Sequence, residues 1–153
     1  MRVSRTFTVL AAVALLGVAC KDNITTAIPA GLSVFTATLN GANERPTPVT
    51  TTAGGGAIVT ILGNQLSWKV DITSAIDSII AGHIHHAPVD SAGGVRVNFA
   101  PAPTGLAFTG TATQGSITVA DSVIAFIQAG NAYVNIHTKK NGGGEIRGQL
   151  IKQ

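Results

Sequence analysis

The sequence predicts an all-β domain, a Greek-key sandwich or barrel of about eight antiparallel strands with one short helix near 119–129. Three observations carry that expectation. Apolar and polar residues alternate in short runs rich in Val, Ile and Thr, the period of two that a half-buried strand shows. Eighteen glycines and six prolines punctuate these runs, so turn signals recur at short intervals. The chain has 153 residues, enough for one domain, and only 5% of them are aromatic.

Residues 1–19 stand apart from the domain. Arg2 and Arg5 precede an apolar run at 7–18 and a small residue, Ala19, the arrangement of a secretory signal. A run of about twelve apolar residues is too short for a transmembrane helix. Cys20 follows at once and is the single cysteine, so no internal disulfide can form. Its position suits a lipobox, in which the cysteine is lipidated and becomes the first mature residue. Gly17 stands where such a box usually has Leu, and Leu16 lies one position earlier. The other reading is ordinary cleavage after Ala19, which leaves a free thiol and a secreted protein. Residues 20–31 read as a polar tether and 32–153 as the domain. The expected location is therefore the cell envelope, with the membrane as a partner through lipid on Cys20. Lys21 after the cysteine would permit outer-membrane sorting in a Gram-negative cell.

Cleavage changes the charge. Ten Lys and Arg fall to eight once Arg2 and Arg5 are removed, against seven Asp and Glu. A near-neutral domain lacks the basic footprint that phosphate neutralisation requires, so nucleic acid is not an expected partner.

The elements follow in order. A first strand is predicted at 32–39, and a long loop then runs from Asn40 through Glu44, Arg45, Pro46 and Pro48. Residues 57–62 and 65–72 form a hairpin around Gly63-Asn64. In its second strand Leu66, Trp68, Val70 and Ile72 share one face, and Trp68 reads as a core anchor, with the lining of a ligand groove as the alternative. Strands at 78–86 and 95–99 are separated by a segment with Pro88, Asp90 and Gly93-Gly94, and another strand is expected at 108–114. Val123, Ile124 and Ile127 recur at helical spacing, with Gly130 as the stop, which predicts the helix over 119–129.

The last hairpin segregates its residues most clearly. Val134 and Ile136 point one way, while Tyr133, Asn135 and His137 point the other. Beyond the turn, Ile146 and Leu150 share a face opposite Glu145, Arg147 and Gln149. A loop over 139–143 pairs His137 with Glu145 and Asn135 with Arg147. One face is then core and the other a contiguous polar cluster, where function is to be sought. Glu145 and Arg147 are expected to pair with each other or with Asn135, as a surface contact worth about 0–1 kcal/mol, or to form the polar rim of a binding face. The glycines 142–144 read as turn residues able to take positive φ.

Three blocks together resemble the CHRD domain, a module named from chordin and common in bacterial secreted proteins. They are Leu39-Asn40-Gly41-Ala42-Asn43-Glu44-Arg45-Pro46, Ala81-Gly82-His83-Ile84-His85-His86-Ala87-Pro88, and the stretch from Tyr133 to Leu150. His86 and Gly142 depart from the family pattern, both in or near turns. The resemblance covers 32–151 and implies a fold more firmly than an activity. Animal chordins carry the domain in an extracellular antagonist of growth factors, which implies no such partner for a single-domain lipoprotein.

His83 and His85 lie two apart on a strand and project from one face, so their nitrogens can converge on one metal ion, copper or zinc. His137 offers a third ligand, with Glu145 and Asn135 as candidates to hold the second ring nitrogens. His83, His85 and His137 are also similar in arrangement to three copper ligands of the copper-zinc superoxide dismutases, although the bridging histidine, zinc loop and guiding arginine are missing. The alternative is that the three histidines hydrogen-bond across strands and to Glu145 and Asn135, fixing register. His86 faces the other way and reads as a surface residue.

No Gly-x-Ser-x-Gly elbow is present and the carboxylates are scattered, so no catalytic residue is assigned. Two functions remain. The first is a lipid-anchored, non-enzymatic binding or structural module with a protein or glycan partner. The second is a copper- or zinc-binding protein using His83, His85 and His137, with a dismutase-like activity as one form of it.

Overall fold

The computed structural model describes residues 29–99 and 112–153. The signal expected at 1–19, Cys20 and most of the expected tether lie outside the described residues, as does the 108–111 part of the strand expected at 108–114.

Among the described residues, nine strands form one antiparallel sheet. They are β1 (Ser33–Asn40), β2 (Gly54–Leu62), β3 (Gln65–Ile72), β4 (Ile79–His86), β5 (Val95–Asn98), β6 (Ala112–Thr118), β7 (Ala132–Thr138), β8 (Ile146–Gln149) and β9 (Ile151–Lys152). A 3-10 turn (Gly41–Asn43) follows β1, and one helix, α1 (Asp121–Gln128), precedes β7. The spatial order is β5-β4-β7-β8-β1-β2-β3-β6, with β9 pairing beside β8 on β1. Trp68 of β3 stacks on Phe99, just past β5, with ring centroids 5.2 Å apart. Residues near opposite ends of the strand order thus meet, so the sheet curls into a partial barrel. The expected all-β class holds, as a single curled sheet.

Alternation builds its interior. Phe35, Leu39, Val59, Leu66, Val70, Ile84, Val134, Ile136 and Ile146 form one buried cluster, whereas Ile58, on the outer face of β2, stays exposed. Helix α1 closes the cluster with fully buried Ile127. It starts two residues later than predicted, at Asp121, whose carboxylate accepts a 2.6 Å bond from Asn64. Gly130, at φ 76°, ends it in the conformation that favours glycine.

Within the described residues, strand β6 (Ala112–Thr118) meets the expected 108–114 strand at 112–114 and runs on to Thr118. Its Thr-Gln-Gly-Ser run carries no hydrophobic alternation; it is a strand because it pairs with β3 from Gln65↔Thr118 to Asp71↔Ala112. Gly115 sits against Trp68, and a Cβ there would come within 2.5 Å of the indole. The ring needs that gap.

Candidate metal centre

Strand β7 is buried on both faces along its whole length. Val134 and Ile136 point into the core, as expected. The opposite, polar face is covered by three loops, 41–53, 87–94 and 139–145, which explains why Asn135, His137, Glu145 and Arg147 are all less than a tenth exposed. The polar cluster is a buried layer, not the surface that the sequence suggested. Its register is the one expected: Asn135 pairs with Arg147 and Tyr133 with Gln149, with β4 on the other side matching His83 to Asn135 and His85 to Tyr133.

Burial reverses the expectations for Glu145 and Arg147. They do not pair, and among the described residues the ion pair found is Lys69–Asp71 on the outer face. Burial alone would raise the Glu145 pKa, but bonds from Thr51 (2.6 Å), Asn141 and Thr138 (2.8 Å), with the charge of Lys140, bring it below its usual value. Arg147 donates to the carbonyls of Pro88 (3.1 Å) and Val89 (3.2 Å), and its guanidinium carbon lies 3.5 Å from the centre of the Tyr133 ring.

The three histidines converge. Their ring centroids are 4.9 Å apart for His83–His137, 5.5 Å for His83–His85 and 5.7 Å for His85–His137. One nitrogen from each ring lies within 4.8 Å of the other two. That limit is looser, by at most about 1.4 Å, than the roughly 3.4 Å that three nitrogens adopt around one ion at bond lengths of about 2.0–2.1 Å.

The ring orientations are fixed from outside. The Nδ1–H of His85 donates to the carbonyl of Gly93 (2.8 Å), and that of His137 to the carbonyl of Gly142 (3.0 Å). A carbonyl can only accept, so each of these Nδ1 atoms carries the proton and each Nε2 keeps its lone pair. The holders are therefore backbone carbonyls of covering loops rather than Glu145 and Asn135, whose partners are other residues. Sequence cannot announce a carbonyl in this role. Gly93 is held in turn by Tyr133, whose hydroxyl accepts from its amide at 3.1 Å. A side chain at Gly93 would strike the His86 carbonyl, which is why the loop carries glycine there.

Each ring also keeps one buried nitrogen with no hydrogen-bond partner, His83 Nδ1, His85 Nε2 and His137 Nε2. Burial, with the neighbouring His137 and His85, pushes the His83 pKa down to about 4. Burial also lowers those of His85 and His137, against the effect of their carbonyl bonds. The rings are neutral at pH 7, as metal ligation requires. His86 is exposed and stacks on Phe126 of α1, outside the group.

Glu44 is the residue that sequence reasoning passed over. It counted as one of several scattered carboxylates, yet it is 3% exposed and accepts a 3.3 Å bond from Asn135, 91 residues away. Burial raises its pKa from 4.5 to about 7, against the lowering effects of Asn135, Arg147 and Arg45. It lies in a cleft of about 280 Å³ between the 44–49 loop and the glycine turn. Its one sequence signal was its place in the Asn-Gly-Ala-Asn-Glu-Arg-Pro block.

The family model of the CHRD domain matches residues 35–150, from β1 to the end of the last hairpin. The chain belongs to the CHRD domain family. All three blocks that carried the resemblance lie within the match, and they meet in the buried layer: Glu44 from the first, His83 and His85 from the second, Asn135, His137 and Arg147 from the third. As a CHRD domain the chain is a binding or structural module. No curated protein and no solved structure shows significant similarity to it.

Proposed function

We propose that this CHRD domain is an exported, lipid-anchored module that binds one transition-metal ion through His83, His85 and His137. One observation carries the metal reading: three buried ring nitrogens converge within 4.8 Å, and none has a hydrogen-bond partner. A buried acceptor left unpaired costs about 1–3 kcal/mol. Two of the rings are moreover set in the tautomer that turns a lone pair inward. Cross-strand bonding to Glu145 and Asn135, the alternative use of these histidines, finds no support in the hydrogen bonds of either residue. Imidazole nitrogen suits copper and zinc, so these are the expected ions. The dismutase-like form of this reading is not adopted, because the bridging histidine, zinc loop and guiding arginine of that family are missing from the sequence.

The test is the metal content of the purified mature domain, beside its His83→Ala and His137→Ala variants. One equivalent of copper or zinc is expected in the parent and none in either folded variant; a metal-free parent after reconstitution rejects the site. Anchoring is tested separately. Cys20→Ser should move the protein from the membrane fraction to the soluble fraction, and an unchanged distribution would remove the lipid from the reading.

A further inference from the structure

We infer that the three-histidine centre selects cuprous copper over divalent ions. This deepens the metal reading and rests on it. Two features of the layer support the choice, one of coordination and one of charge.

The coordination is three neutral nitrogens. Among the described residues, no carboxylate or thiol joins the group. A zinc ion bound by three protein ligands completes its tetrahedron with water. Here the three inward nitrogens each expose less than 1 Å² to solvent. A monovalent d¹⁰ ion is satisfied by three imidazoles in a plane and needs no fourth ligand.

The charge is positive behind the site. His85 stacks on Tyr133 at 4.9 Å, with the ring planes within 11° of parallel. Tyr133 carries the Arg147 guanidinium 3.5 Å from its ring centre. His85 and Arg147 lie on strands flanking β7 on opposite sides, so the tyrosine ring sits between them. The guanidinium is therefore within about 8 Å of a ligand ring, at 2% exposure and little screened by water. Glu145, tied to Thr51, Thr138 and Asn141, keeps its negative charge and offsets part of this field, while Glu44 is bonded to Asn135. Each added unit of charge on the bound ion is repelled by Arg147 and raises the cost of desolvation, which grows faster than the charge itself. Three uncharged ligands leave that charge unneutralised.

The test is anaerobic competition of the mature domain for Cu(I), supplied as its acetonitrile complex, and for Zn(II), each against a chelator of known affinity. Arg147→Met, which keeps an unbranched stem without the charge, and Arg147→Lys, which keeps the charge, are measured beside the parent. The parent is expected to hold one Cu(I) at least a hundredfold more tightly than Zn(II). Arg147→Met should narrow the ratio by on the order of tenfold and Arg147→Lys should hold it. Zinc binding equal to or tighter than Cu(I) overturns the selection while leaving the metal site standing. No binding of either ion overturns the site itself. A ratio that Arg147→Met leaves unchanged removes the charge argument. Should that variant not fold, the ratio measured on the parent decides.

Discussion

His85 takes part in three contacts at once: its Nδ1–H is held by Gly93, its ring lies on Tyr133, and its Nε2 turns toward His83 and His137. Each of the first two restricts one rotation, so the third atom is aimed with little conformational freedom left to lose on binding. Tyr133→Phe removes the hydroxyl that orders Gly93 but keeps the ring stack. It is expected to weaken metal binding about tenfold with little loss of fold, as isothermal titration beside thermal denaturation would show. Glu44 works in the other direction, against stability at neutral pH. Its folded pKa of about 7 stands above its ordinary 4.5, so the folded state favours the protonated acid. The stability this contributes is full below pH 4.5 and is lost as pH rises through 7. Glu44→Gln, a permanent neutral mimic, should therefore gain on the parent by on the order of 2 kcal/mol between pH 5 and 8, less than the full shift implies because the cleft admits water. Urea denaturation at the two pH values measures it, and parallel pH profiles would refute the assignment.

At the scale of elements, the β7–β8 hairpin was legible in the sequence in its faces and register. Strict alternation of Val134 and Ile136 with Asn135 and His137 leaves one register in which apolar residues face the core. The hairpin's depth was not legible. A strand with one apolar and one polar face reads as half-exposed, and only loops from distant parts of the chain bury the polar side. Strand β6 shows the converse, since a run without a pattern becomes a strand by pairing with β3. The glycine turn tests how tightly the loops close. Gly144 sits at φ 138°, and a Cβ there would come within 2.7 Å of Asn135 and Glu44, whereas one at Gly143 would meet nothing within 4 Å. Gly144→Ala should cost about 2 kcal/mol or more and Gly143→Ala less than about 0.5 kcal/mol. Chemical denaturation of the pair compares them directly, and equal costs would mean that the turn is loose.

For the molecule as a whole, the half-buried His83 and the buried His85 and His137, all neutral, make stability depend on pH in the opposite sense to Glu44. Their folded pKa values lie below 6.5, that of His83 at about 4, so the unfolded chain binds protons first. The stability is present above pH 6.5 and lost as pH falls toward 4. Three groups outweigh one. The metal-free domain should therefore lose urea resistance steeply from pH 6.5 to 4.5, and His83→Ala should lose it less steeply. Bound metal competes with those protons. At a hundredfold excess over its dissociation constant it should add about 2.7 kcal/mol, several degrees in melting temperature, reversed by a chelator.

The sequence by itself determined the all-β class, the hairpins, the short helix, the CHRD resemblance and the three histidines, because these depend on local periodicity, turn chemistry and motifs contiguous in the chain. The tertiary structure alone decided that the polar face is an interior layer and that the histidine nitrogens are sealed there without partners. It also decided that Gly93 and Gly142 orient the rings, that Glu44 meets Asn135, and that Arg147 stands behind Tyr133. These depend on contacts between residues up to 104 positions apart and on backbone carbonyls. Every residue has a carbonyl, so no residue type marks the ones that matter.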